Sequence, residues 1–301
     1  AFASGDGGAT DAGGPDVRRL TTEVMVTGGE RVEIAGRPLL ATSHGLVDER
    51  ALARLWPSAF SGVDLAAPGA PALPFGWVHA SRFEKPPLVR SEPARDAPRV
   101  RRAKRREVVP VLEERDGHVL VGPGEWIARG ALRVARVPTP PSSAAPGAAF
   151  IDVDLDEQVL VAHDGTAPRF ATLISTGKPR HRTPPGLYRI LAKAATTEMA
   201  GPEDHPRRYE VAGVPWALRF HERGLYLHGA YWHDAFGAVI SHGCVNLAPR
   251  DAHFLFDWAA PALPPGWSEV EVEGGEGLLV QIRDREHPDP AAPGDGRGSG
   301  P

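Results

Sequence analysis

From Phe150 onward, apolar and polar positions alternate: Ile151, Val153 and Leu155 stand against Asp152, Asp154 and Asp156, and Val159 and Val161 follow an acidic turn. A period of two is that of a half-buried strand, so residues 150–165 predict a β-hairpin with those five apolar residues turned inward. Further strand-like runs follow at 169–175, 187–191, 216–220 and 225–228, separated by turn residues such as those of Thr183-Pro184-Pro185-Gly186. One stretch changes period. Ala252, Leu255, Phe256 and Ala259 recur at helical spacing behind Pro249, which suits a first helical position, and so predict an amphipathic helix. Upstream, short runs at 32–34, 108–112 and 118–121 lie between Gly, Pro and Asp breakers, with an Asp116-Gly117 turn, and a short helix is expected around Asp48 to Leu55. The pattern predicts a mainly β protein with one prominent helix.

Breaks in the pattern divide the chain. Residues 1–16 and 284–301 are rich in Gly, Ala, Pro and Asp and lack periodicity, which predicts a disordered tether and a disordered tail. The Pro/Ser/Ala run at 138–148 predicts a linker, with the larger unit at 149–283 after it. Before it lie a small β-rich segment at 17–84, to which the sequence attaches no function, and a second β-rich region at 85–137.

Composition narrows the function. The chain has 301 residues and is 42% hydrophobic, enough for packed cores. Its 34 Lys and Arg nearly balance 38 Asp and Glu, for a net charge of -4, so no global field attracts nucleic acid. No apolar run approaches the 18 residues of a membrane helix, and Ala1 to Asp16 has neither a charged n-region nor an apolar h-region. The chain is expected to be soluble and, if secreted, already processed. A single cysteine, Cys244, excludes an intramolecular disulfide and a Cys-rich zinc site, and is either an inert buried thiol or a reactive one.

The surroundings of Cys244 favour reactivity. It lies in Ser241-His242-Gly243-Cys244-Val245-Asn246, and sixteen residues earlier His228 closes the apolar run 225–227 and precedes Gly229. A thiol attacking near neutral pH needs a base, and an imidazole supplies one that can later protonate the leaving amine. His228 and Cys244 form that pair. Glycine ahead of the nucleophile allows a sharp turn, and the amides around Gly243 and Cys244 are expected to meet a developing oxyanion. Acyl transfer fits, and an activated Cys244 should alkylate below the pH of a free thiol.

Residues 228–258, HGAYWHDAFGAVISHGCVNLAPRDAHFLFDW, closely resemble the motif of the L,D-transpeptidase (YkuD) catalytic domain, and the resemblance extends over about 149–283. It implies a β-sandwich of that type with a helix after the nucleophile. Cys244 would be the nucleophile, His228 the general base and acid, and the Gly229 carbonyl the holder of the imidazole tautomer. Ser241 and His242 would shape the nucleophile loop, with direct catalysis by His242 and a structural role both open. Asn246 would stabilise the loop or touch substrate, and Tyr231 and Trp232 would line the cleft or simply pack. Implied partners are peptidoglycan stem peptides, a donor tetrapeptide and an acceptor amine; the implied outcome is a 3→3 crosslink with release of D-alanine, in the cell envelope and without a cofactor. Carbapenems would acylate Cys244. Water as acceptor would make an L,D-carboxypeptidase, and a protein amine an anchoring enzyme. Residues 85–137, with Trp126, resemble bacterial SH3-like modules, which implies wall-polymer contact and, as a non-catalytic alternative, a wall-binding protein.

Rival readings of the same residues are weaker. His228, His233, His242 and Cys244 carry zinc-ligand chemistry but neither CxxC nor HExxH spacing, so no metal is expected. The Asp152–Glu157 run starts like a calcium loop but has Glu157 where glycine is needed, and reads as a solvated strand face. The cations Arg99, Arg101, Arg102, Lys104, Arg105 and Arg106 read as a wetted face rather than a polymer grip. A papain-type peptidase places Cys before His, the reverse of the order here.

Overall fold

The computed structural model describes residues 2–3, 23–25, 29–42, 45–53, 55–81, 83–141, 144–201, 209–272 and 275–289. The expected tether at 1–16, apart from Phe2–Ala3, and the tail beyond 289 lie outside the described residues.

Two sheets form the body of the larger unit. The first runs Gly186–Arg189, Leu279–Arg283, Phe150–Asp154, Val159–Asp164, Ala167–Leu173 and, at its edge, Val63–Asp64. The second runs Val245–Leu247, Leu225–Gly229, Tyr209–His221, Ala192–Ala200 and Glu269–Glu271, with Glu23–Met25 paired to Tyr209–His221. Ile151, Val153 and Leu160 of the first meet Leu218, Leu227 and Val245 of the second in one core. The helix Pro249–Trp258 adds Ala252, Leu255 and Phe256 to it, with Pro249 in its first turn. This is a β-sandwich with a helix packed against it, and the predicted amphipathic face is the one buried.

The 150–164 hairpin forms, but its inward set differs from expectation. Antiparallel pairing sets Val153 opposite Leu160 and Ile151 opposite Ala162, so these four share the sandwich core. Val159 and Val161 stand opposite Asp154 and Asp152 and face the other way. There they join a second core with Leu173, Phe75, Trp77 and Phe60. The turn carries an even number of residues between the paired positions, and parity alone moved the two valines to the opposite face. Nor is the acidic face solvated. Asp152 and Asp154 are buried, and Arg283 on the adjacent parallel strand reaches both, at 2.8 Å to Asp152 and 2.9 Å to Asp154.

The upstream β region begins earlier than residue 85. Phe75–Val78 is hydrogen-bonded to Val108–Pro110 on one side and Leu132–Ala135 on the other. Beside it, a five-stranded sheet runs Arg99–Arg102, Leu88–Arg90, Glu125–Ala128, His118–Gly122 and Glu113–Arg115, with Val78, Val89, Val119, Ile127 and Leu132 in a shared core. Phe75–Val78 is buried throughout, with Phe75 and Trp77 toward the sandwich and Val78 toward its own unit. A strand covered on both faces shows no alternation, so sequence periodicity does not mark it. The helix expected near Asp48 is a single 3-10 turn, Glu49–Ala51, whose first free amide, that of Arg50, is capped by Asp48.

The candidate active site

The site is built on two neighbouring parallel strands. Leu225–Gly229 pairs with Val245–Leu247 in a register that sets Leu227 beside Val245, His228 beside Asn246 and Gly229 beside Leu247. Leu227, Val245 and Leu247 point into the sandwich core. Side chains alternate along a strand, so Tyr226 and His228 on the first strand and Asn246 on the second point to the opposite face. Cys244 lies in a bend immediately before the second strand, with its thiol against the Tyr226 backbone N–H. The sixteen-residue spacing thus returns the chain to the strand beside His228, with Cys244 at its entry.

His228 is buried, and its Nδ1 lies 3.2 Å from the Gly229 carbonyl. A carbonyl only accepts, so Nδ1 carries the proton and Nε2 keeps its lone pair. Burial lowers the imidazole pKa to about 4, with the Gly229 hydrogen bond working weakly the other way. Burial pushes the half-buried Cys244 thiol up to about 11, against a smaller lowering by the Tyr226 backbone N–H. Burial thus works against charge on both groups. Burial that raises the thiol works against alkylation below the pH of a free thiol, the behaviour expected of an activated Cys244.

The nucleophile loop is pinned from several sides. Ser241 Oγ donates to the Cys244 carbonyl at 2.6 Å and accepts from Gly243 N–H at 3.1 Å. The Gly243 amide is thus engaged, which removes one of the two donors expected at the oxyanion. Gly243 has φ +123, and a Cβ there would sit 3.1 Å from Leu225, so only glycine fits without strain. Thr183 Oγ1 donates to the Gly243 carbonyl at 2.8 Å and accepts from Gly177 N–H at 3.0 Å. Ser175 exchanges two backbone hydrogen bonds of 2.9 Å with Asn246. Sequence reasoning missed Ser175, Gly177 and Thr183; the signal was the cluster of small polar residues Ser175-Thr176-Gly177 closing a strand-like run.

The remaining candidates separate. His242 is exposed, its ring 5.0 Å from that of His181. The Asn246 side chain is buried, with its amide 3.0 Å from His233 Nε2, which places it in loop support rather than on an open surface. Trp232 stacks on His228 at 5.7 Å, and Tyr231 packs edge-on against Trp232 while donating to the Ala212 carbonyl at 2.7 Å. Beyond Trp232 a cavity of about 360 Å³ opens toward the upstream unit, lined by His79, Ser81, Phe83, Arg105 and Asp234 among others. Among the described residues no group of three or more His, Cys, Asp or Glu is placed to hold a metal ion.

Comparison with known proteins bears on the family of the larger unit. Residues 148–273 match the family model of the L,D-transpeptidase catalytic domain, YkuD. That segment, which contains both strands of the site and the helix behind them, is an L,D-transpeptidase catalytic domain of the YkuD family. Among curated relatives, the probable L,D-transpeptidase 3 of Mycobacterium tuberculosis is 35% identical over 107 residues, covering 33% of this chain and 37% of the relative. L,D-transpeptidase 1 of the same organism is 30% identical over 115 residues, covering 32% and 43%. The chain thus spans about two fifths of the length of these relatives. A crystal structure of the M. tuberculosis L,D-transpeptidase 3 aligns with 45% of this chain and 61% of its own, at 23% identity and a TM-score of 0.38.

Proposed function

We propose that this protein is a cysteine L,D-transpeptidase acting on peptidoglycan stem peptides in the cell envelope. The observation that supports the reading is His228, buried with its tautomer fixed by the Gly229 carbonyl, on a strand whose parallel neighbour Val245–Leu247 is entered directly from Cys244. In the acylation step, Cys244 Sγ attacks the carbonyl between the third and fourth residues of a tetrapeptide stem as its proton passes to His228 Nε2. The C–S bond forms, the C–N bond breaks, and His228 returns the proton to the departing D-alanine amine. An amine on the third residue of a second stem then attacks the thioester. A C–N bond forms, the C–S bond breaks, and the amine's proton returns through His228 to the thiolate, leaving a 3→3 crosslink. The Cys244 N–H is assigned to the tetrahedral oxyanion, since Gly243 N–H is held by Ser241.

Deprotonation concerted with attack suits a pair in which burial works against charge on both groups, because an imidazole with pKa near 4 is wholly in its basic form at neutral pH. Wall contact by the upstream unit takes second place. Arg101 of its cationic run is paired with Glu107 and Glu125, and Arg105 and Arg106 with Asp234, so these cations are already neutralised within the chain.

Intact-protein mass spectrometry after incubation with a carbapenem, beside Cys244→Ala, tests the acylating thiol. One adduct is expected in the parent and none in the variant. A disaccharide tetrapeptide then separates the acceptors: crosslinked dimer supports transpeptidation, tripeptide alone a carboxypeptidase. Absence of any adduct on folded protein overturns the reading.

A further inference from the structure

Between the proposed base and nucleophile the chain makes an excursion, residues 230–243, that covers the site. Trp232 in it stacks on His228, and His233 meets the side chain of Asn246, the residue beside His228 in the strand register. The next residue, Asp234, is held from outside the catalytic domain. Arg105 reaches its carboxylate at 3.0 Å and its carbonyl at 2.8 Å. Arg106 reaches the same two groups at 2.7 and 2.9 Å, and the Ser58 hydroxyl donates to the carboxylate as well. Three residues on, Arg133 donates to the Gly237 carbonyl at 2.8 Å, and Gly237, at φ +97, lies so close to His79 that a Cβ would sit 2.6 Å from the ring.

These partners belong to the upstream β unit and the segment leading into it. They are 104 to 176 residues away in sequence from the groups they hold. Arg106 also lies over the Phe60 ring at 4.6 Å, and Phe60 stacks on Phe236 of the excursion, so the grip is both charged and apolar. Two guanidiniums on one carboxylate and its own carbonyl fix position and orientation together, as charge-assisted hydrogen bonds do.

We propose that the upstream unit orients the catalytic base: Arg105 and Arg106, by gripping Asp234, hold Trp232 against His228 and His233 against Asn246. Asp234, Arg105 and Arg106 are positioning residues on this account. The inference rests on the reading of His228 as the base in acylation. A shift of the imidazole by a fraction of an ångström matters because attack and proton transfer depend on aligned geometry, and misplacement of about 1 Å can reduce a rate about 100-fold.

The test uses the full chain. The carbapenem acylation rate of Cys244 is followed by intact mass against drug concentration for the parent, Asp234→Asn, Asp234→Glu and the double variant Arg105→Gln/Arg106→Gln, each at a temperature well below its melting point. The Asn and double-Gln variants are expected to lose about 10-fold to 100-fold in maximal rate with little change in half-saturation, and the Glu variant to recover most of it. Unchanged maximal rate in Asp234→Asn, or a loss confined to half-saturation, overturns the proposal. Imidazole proton–nitrogen spectra give a second arm independent of turnover, in which the His228 and His233 signals should move in Asp234→Asn and return in Asp234→Glu. If the parent is not acylated, the assignment of His228 and Cys244 falls, and unmoved imidazole signals then overturn the orienting role separately.

Discussion

The strand pair that carries His228 and Cys244 and the excursion that covers it are adjacent in sequence, yet they are held by opposite means. The pair is fixed by parallel register between strands whose partnered positions lie eighteen residues apart. The excursion has no regular strand or helix of its own and is held by Ser58, His79, Arg105, Arg106 and Arg133 from the other half of the chain. The comparison teaches that reacting groups can be encoded in a short motif, whereas the cover that desolvates and aligns them is assembled from residues whose role is visible only once the chain is folded.

Substitutions within the strand pair should have the largest effects. Cys244→Ala is expected to abolish acylation while leaving the melting temperature near that of the parent; any residual adduct by mass spectrometry would reject the nucleophile. His228→Ala should slow acylation by about 100-fold to 10,000-fold, the usual contribution of a positioned general base. A parent-like rate would move that role elsewhere. Gly243→Ala should cost of order 1–3 kcal/mol in denaturant unfolding, since it forces a side chain into a left-handed conformation against Leu225. It should also slow acylation by displacing Cys244, and an unchanged rate would show that the loop tolerates movement.

Ser241→Ala probes the seam between the two regions. It leaves Gly243 N–H and the Cys244 carbonyl without their hydroxyl partner, and a loss of about 1–3 kcal/mol is expected. If Gly243 N–H, once released, turns to the oxyanion, acylation will survive better than stability does, which paired kinetic and melting measurements would reveal.

Acidification acts on buried groups of both regions at once, with opposing signs. His79, His163, His228 and His233 are each held by burial at a pKa of about 4, below the ordinary 6.5. The unfolded chain therefore takes up protons first, and stability should decline as pH falls from about 6.5 to 4 and level off below that. Asp251, raised to about 6 by burial despite hydrogen bonds from Thr172, Gly62 and Ser61, works in the opposite direction over the same range. A melting temperature that rises between pH 6.5 and 4 would show that the buried carboxyls outweigh the imidazoles. Over the same interval acylation should hold until His228 itself protonates near pH 4.

Much of this was legible in the residues. Alternation gave the 150–164 hairpin, a change of period gave the helix Pro249–Trp258, and His228, Gly229, Ser241, Gly243 and Cys244 stood in a recognisable order. Each of these depends on neighbours within a few positions or on one strand-to-strand step. What stayed hidden depended on which faces were covered. Val159 and Val161 read as part of one core because nothing in a hairpin's sequence says that a second layer will cover its other face. Asp152 and Asp154 read as solvated because Arg283, their partner, arrives from a strand more than a hundred residues later. Phe75–Val78 was passed over for the same reason, being buried on both sides and so without period. The sequence by itself determined the alternating strands, the helix and the motif that holds His228 and Cys244, since periodicity and motif spacing are local. Only the tertiary structure decided which surfaces met, and with them the desolvation of His228 and Cys244 and the grip on Asp234, because desolvation and long-range ion pairs exist only when distant segments exclude water from one another.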